Sequence, residues 1–112
     1  MGLESGVTVV SARGELDAFN AKELSEAFEQ SEDGRAEYIV IDLSRVSFLD
    51  STALGLVVRK VNDVGDRGGT ARVVLPESSA RRIFEITTLD RVLPTAESRL
   101  QALRELAPGN PS

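Results

Sequence analysis

Between Tyr38 and Leu43 the chain reads Tyr-Ile-Val-Ile-Asp-Leu, an almost continuous apolar run rich in β-branched residues. Such a run suits a strand covered on both faces, or one deep in a sheet. A strand of that kind needs elements to cover it, and the flanking sequence supplies them. Val7–Arg13 reads as a strand, Gly14-Glu15-Leu16-Asp17 as a turn, and Asn20 as the N-cap of a helix that ends near Gly34. Glu23, three residues after Asn20, completes a capping box, and Phe19 and Leu24 occupy the positions of a hydrophobic staple. Leu24, Ala27 and Phe28 form the apolar stripe of this helix.

After Leu43 the apolar residues change period. Leu54, Val57, Val58, Val61 and Val64 recur at helical spacing, so residues 51–64 form an amphipathic helix held more by burial than by propensity. Gly65, Gly68 and Gly69 close it. Thr70–Leu75 is a further strand, stopped by Pro76. Ser78 or Ser79 caps a helix through about Ile86, with Ile83, Phe84 and Ile86 inward. Arg91–Pro94 is a short final strand, and Thr95 caps a last helix with Ala96, Leu100, Leu103 and Leu106 on one face. Residues 1–6 hold a brief edge strand or nothing ordered. The alternation of strand and helix argues for a single α/β domain over residues 1–107 with a largely parallel sheet, and residues 108–112 form a frayed tail.

Composition removes most enzyme classes. The 112 residues include no Cys and no His. Disulfides, Cys- or His-based zinc sites, Ser-His-Asp triads and a His general base are all excluded. No carboxylates are paired at metal-ligand spacing and no phosphate-loop pattern surrounds Gly68-Gly69, so neither a metal nor a cofactor is expected. Thirteen Lys and Arg against eighteen Asp and Glu give a formal charge of −5, which argues against a nucleic-acid partner. No apolar run reaches the length of a membrane span and no signal peptide precedes the first strand, so the expected location is cytoplasmic. Arg81-Arg82 reads as a solvated helix face.

The chemistry concentrates at Val46–Gly55, where a strand meets a helix start. Asp50, Ser51 and Thr52 stand together there. Unpaired N–H groups and the positive end of the helix dipole tolerate negative charge. A hydroxyl at such a place can be a cap, a nucleophile or a phosphate acceptor. Gly55 within the first turns costs about 1 kcal/mol against Ala, and close approach of another backbone, inside the fold or from a partner, is a reason to keep it. Asp17 reads first as a turn residue and second as a surface contact beside another loop.

Taken together, these segments resemble the STAS family, the domain of bacterial anti-sigma factor antagonists. Gly14-Glu15-Leu16-Asp17 is similar to the family's first signature. Ile39–Gly55, containing Asp50-Ser51-Thr52-Ala53-Leu54-Gly55, is similar to the second and stronger one. Ala80–Leu89 resembles the third helix. The resemblance implies a mixed, largely parallel sheet of four to five strands with helices packed mainly on one side. It implies a switch protein and not an enzyme. On that pattern the unphosphorylated form binds an anti-sigma factor that is also an ATP-dependent serine kinase, which frees a sigma factor. Phosphorylation at Ser51, with Thr52 the secondary candidate, switches binding off, and a phosphoserine phosphatase resets it. The implied switch surface comprises Gly14, Glu15, Asp17, Asp50, Ser51, Thr52, Leu54 and Gly55. The alternative within the family is a scaffold or transporter-associated subunit with another partner. The chain is expected to be a monomer or weak homodimer.

Three positions depart from the family pattern. Ala53 stands where Gly is usual, and its methyl is expected to alter how closely a kinase approaches. Thr88 stands where Gly is frequent, so the turn after the third helix is expected to differ. The strand before Val7 is expected to be truncated or absent, which would leave a sheet edge open to pairing with another chain.

Overall fold

The computed structural model describes residues 2–4, 7–33 and 38–106. The elements run β1 (Gly2–Glu4), β2 (Val7–Leu16), α1 (Ala21–Asp33), β3 (Tyr38–Leu49), α2 (Ser51–Asp66), β4 (Thr70–Val74), a 3-10 turn at Ser79–Arg81, α3 (Arg82–Ile86), α4 (Leu89–Val92), β5 (Thr95–Ala96) and α5 (Arg99–Leu106). The five strands form one sheet in sequence order. β1 lies antiparallel to β2, while β2 to β5 are mutually parallel. The mixed, largely parallel α/β sheet is therefore the one expected. The edge strand before Val7 is present as a three-residue strand, paired to Val7–Val9. The tail at 108–112 lies outside the described residues.

The apolar run at 39–41 is buried on both faces. Ile39 and Ile41 point into the main core with Leu24, Phe28, Val57, Val64 and Phe84, beneath α1, α2 and α3. Val40 points the other way, into a smaller core with Val7, Val9, Val74, Ala102 and Leu106 under α5. Alternation of side chains along a strand makes one sequence serve both cores. Lys60 of α2 is 4% exposed, and its ammonium donates to the Phe28 carbonyl at 3.4 Å and sits 5.8 Å from the Phe28 ring centre, joining α2 to α1.

Several local expectations change. β2 continues through Gly14 to Leu16 instead of turning at Gly14. Gly14 adopts φ +76, and the β2–β3 register shifts between Ser11 and Arg13 and again between Gly14 and Glu15. These bulges let the strand bend while pairing continues. Asn20 makes no capping box: its side chain accepts from the Asp17 N–H at 2.8 Å and donates to the Glu15 carbonyl at 2.6 Å. The staple is also absent, since Leu24 is buried but Phe19 is 97% exposed.

Farther along, Leu89–Val92 is a helical turn, closed by the Leu93 N–H on the Leu89 carbonyl at 2.8 Å. The last strand is displaced to Thr95–Ala96, and Ser98, not Thr95, accepts the Gln101 N–H at the start of α5. Ile86 and Leu100 are exposed, while α5 buries Ala102 together with the expected Leu106. Ser78 caps the 3-10 turn, accepting the Ala80 N–H at 3.1 Å, and its hydroxyl donates to the Val46 carbonyl at 2.6 Å. Arg81 is not merely solvated, since it pairs with Glu97 at 2.7 Å. Thr88 keeps a left-handed conformation, φ 59 and ψ 14, despite its β-branched side chain, so the turn retains the geometry that favours glycine.

Candidate functional site

β2 and β3 are paired as far as Leu16 and Leu49. The two segments singled out in the sequence therefore leave the sheet side by side. The Asp50 N–H donates to the Leu16 carbonyl at 3.0 Å, fixing the second loop against the first.

The Asp50 side chain then divides its two oxygens. Oδ1 accepts the Ala53 N–H at 3.0 Å and caps α2. Oδ2 accepts the Ala18 N–H at 2.9 Å, across 32 residues of sequence, and ties down the β2–α1 loop. Asp17 shapes that loop from within, its Oδ1 accepting the Phe19 N–H at 2.9 Å and the Asn20 N–H at 3.2 Å. This is an Asx-type turn, the structural role that its type and place suggest. The loop carries Phe19 outward beside the start of α2.

Of the three side chains that could cap α2, Asp50 does so. Ser51, the first helical residue, and Thr52 are exposed, and neither hydroxyl has a hydrogen-bond partner among the described residues. Gly14 and Glu15 are exposed at the end of β2, Glu15 opposite Phe48 in the register. Leu54 is only 8% exposed and belongs chiefly to the core. Gly55 is exposed, and a methyl placed on it would meet no atom within 4 Å. Among the described residues no backbone requires glycine there.

Ala53 corrects the expectation attached to it. It is fully buried in the main core. Its methyl points inward, away from anything approaching Ser51. Beside Ser51, an open groove of about 570 Å³ runs along α2 past Leu54, Gly55, Val58 and Arg59 to Leu89 of α4. The α3–α4 segment that borders it exposes Ile86 and Val92, 73% and 72% respectively.

A sequence model of the STAS domain matches residues 3–102, nearly all the described chain. The chain belongs to the STAS domain family. This STAS domain is 37% identical over 82 residues to the anti-sigma-B factor antagonist of Listeria monocytogenes, covering 71% of the chain and 70% of that protein. It is 27% identical over 105 residues to the anti-sigma F factor antagonist of Paenibacillus polymyxa, covering 90% of the chain and 87% of the relative. Among solved structures, an anti-sigma factor antagonist from Mycobacterium paratuberculosis superposes with a TM-score of 0.83 at 32% identity, over 92% of this chain and 87% of that one.

Sequence reasoning missed Phe19 as a surface residue, because the staple spacing assigned it an internal partner. Its position inside a loop built by Asp17 and Asn20 was the available signal, since an Asx turn commits the backbone and not the neighbouring side chain. Among the described residues, no helix is long and apolar enough to cross a membrane.

Proposed function

We propose that this STAS domain is an anti-sigma factor antagonist whose binding surface is switched at Ser51. The observation that carries the reading is the division of labour at the start of α2. Asp50 takes the cap and the inter-loop bond, which leaves the Ser51 hydroxyl exposed and unengaged next to Gly55 and the α2 groove. The names carried by the relatives support the partner class.

The unmodified surface docks an anti-sigma factor that is also a serine kinase and supplies its own ATP, and a sigma factor is released. A phosphate on Ser51 adds about −1.5 to −2 charges at neutral pH. It stands beside the Asp50 carboxylate, and the first-turn N–H groups of α2 soften the repulsion without removing it. The docking surface thereby changes in charge and bulk while the core beneath, including Ala53, is untouched. A phosphoserine phosphatase restores the surface. The domain acts as a binding module in the cytoplasm and not as an enzyme, a reading supported by the antagonist names of its relatives.

The test is binding of wild type, Ser51→Ala and Ser51→Asp to candidate anti-sigma kinases, with ATP added and intact mass recorded. Ser51→Ala is expected to bind but take no phosphate, and Ser51→Asp to bind weakly. Phosphate transfer undiminished in Ser51→Ala moves the acceptor to Thr52 or elsewhere. Wild-type affinity in Ser51→Asp refutes the switch.

A further inference from the structure

On the α5 face of the sheet, separate from the α2 surface, a second cavity of about 590 Å³ is lined by Ser11, Arg13, Asp42, Ser44, Arg45 and Arg99. The register explains how three arginines meet there. Ser11 pairs with Asp42 and Arg13 with Arg45, so β3 spends three steps where β2 spends two. The extra residue is a bulge, which re-aims side chains on the bulged strand. Leu43 and Val46 both enter the main core, while Ser44 and Arg45, consecutive in sequence, both line the cavity. Strict alternation would have sent one of that pair to the other face.

The charges are arranged unfavourably for an empty surface. Arg13 and Arg45 stand opposite each other on neighbouring strands, where like charges are destabilising. Neither has a hydrogen bond or ion pair to any described residue. The one carboxylate among the described lining residues, Asp42, is buried and already engaged: its Oδ2 accepts from Arg99 Nε at 2.7 Å and its Oδ1 from the Ser44 N–H at 3.0 Å. Among the described lining residues, three guanidiniums stand against one carboxylate, a formal charge of +2 within a chain whose own total is −5. Guanidinium forks match the oxygens of a phosphate, and serine hydroxyls can complete its hydrogen bonding. Among the described lining residues none is aromatic, so none of them stacks a base.

We propose that this cavity binds a dianionic phosphate group, either free phosphate or the monoester of a small non-aromatic metabolite, held chiefly by Arg13 and Arg45. The bound anion relieves the repulsion between the two arginines and leaves the Asp42–Arg99 pair in place. Ser51 plays no part in it.

Amide-resolved NMR titration tests this with inorganic phosphate and, separately, glucose 6-phosphate, each referenced to sodium chloride at matched ionic strength. Shifts are expected at Ser11, Arg13, Ser44 and Arg45. Arg13→Gln and Arg45→Gln should each weaken binding by about tenfold, the loss of a charge-assisted contact, and the double variant should abolish it. Ser51→Ala should bind as wild type does. Tighter binding of the sugar phosphate identifies a monoester as the ligand, and equal or tighter binding of inorganic phosphate identifies the free anion. Should the double variant not fold, Arg13→Lys with Arg45→Lys keeps the charge, loses the forks and should still bind several-fold more weakly. Shifts no larger than those in chloride, shifts centred on the start of α2, or wild-type binding by the double variant would overturn the proposal.

Discussion

Replacing Asp50 separates two functions that one carboxylate performs. Its backbone N–H bond to Leu16 survives substitution by any residue except proline, so only the side-chain bonds change. Asp50→Ala removes the α2 cap, worth about 1 kcal/mol. It also removes the 2.9 Å bond to the Ala18 N–H. That bond lies at the surface, where water can replace the acceptor, so its share is about 0.5–1 kcal/mol. The alanine variant should therefore lose about 1.5–2 kcal/mol in all. Asp50→Ser keeps a capping oxygen for the Ala53 N–H but lacks the second oxygen that reaches Ala18, so it should lose only the smaller share. Urea unfolding with unchanged m values measures both losses. Hydrogen exchange locates them: the serine variant should expose the Ala18 amide and leave Ala53 protected, and the alanine variant should expose both. Equal losses in the two variants, or an Ala18 amide unaffected by either, would refute the claim that one carboxylate holds both loops.

Gly55→Ala should stabilise the domain by about 1 kcal/mol, because the methyl meets no atom and the helix gains propensity. Its affinity for the anti-sigma partner should nevertheless fall if that surface is the docking face, a divergence readable from paired urea and titration measurements. Thr88→Gly should raise stability by about 0.5–1 kcal/mol, since relief of a left-handed β-branched residue exceeds the added entropy of the unfolded chain; a loss on urea unfolding would count against strain at that turn. The Asp42 carboxyl is raised by burial, but the Ser44 hydroxyl and N–H and the Arg99 guanidinium outweigh this and hold it below the usual aspartate range. Its stabilising contribution is accordingly complete above the unfolded value of about 3.9 and is lost as the pH falls through the lower folded value. Asp42→Asn should flatten the acid limb of the stability curve in that window, and an unchanged limb would contradict the assignment.

The local expectations that changed have two physical causes. Gly14 signals a break because it permits positive φ, and it does adopt +76. Yet β3 runs alongside and keeps pairing, so the strand continues to Leu16. Phe19 and Leu24 have the spacing of a staple, but spacing cannot say whether Asp17 and Asn20 will turn the loop outward. Arg91–Pro94 looks extended because proline follows, whereas the Leu89–Leu93 bond and burial of Leu93 select a helical turn. At Gly14 a partner strand distant in sequence prevails over a local preference, whereas at Phe19 and at Arg91–Pro94 hydrogen bonds between residues two to four apart decide what spacing alone leaves open.

The sequence by itself determined the α/β architecture, because periods of two and of 3.6 are properties of consecutive residues. It also determined where the hydroxyls stand, since a helix start after a buried strand follows from the same pattern. Only the tertiary structure decided what the individual side chains do there. It gave the cap to Asp50 and left Ser51 exposed, turned Ala53 into the core, and through one bulge put Arg45 opposite Arg13. Those outcomes depend on which atoms of other segments lie within hydrogen-bonding or packing distance, and the pairing of β2 with β3 is what sets those distances.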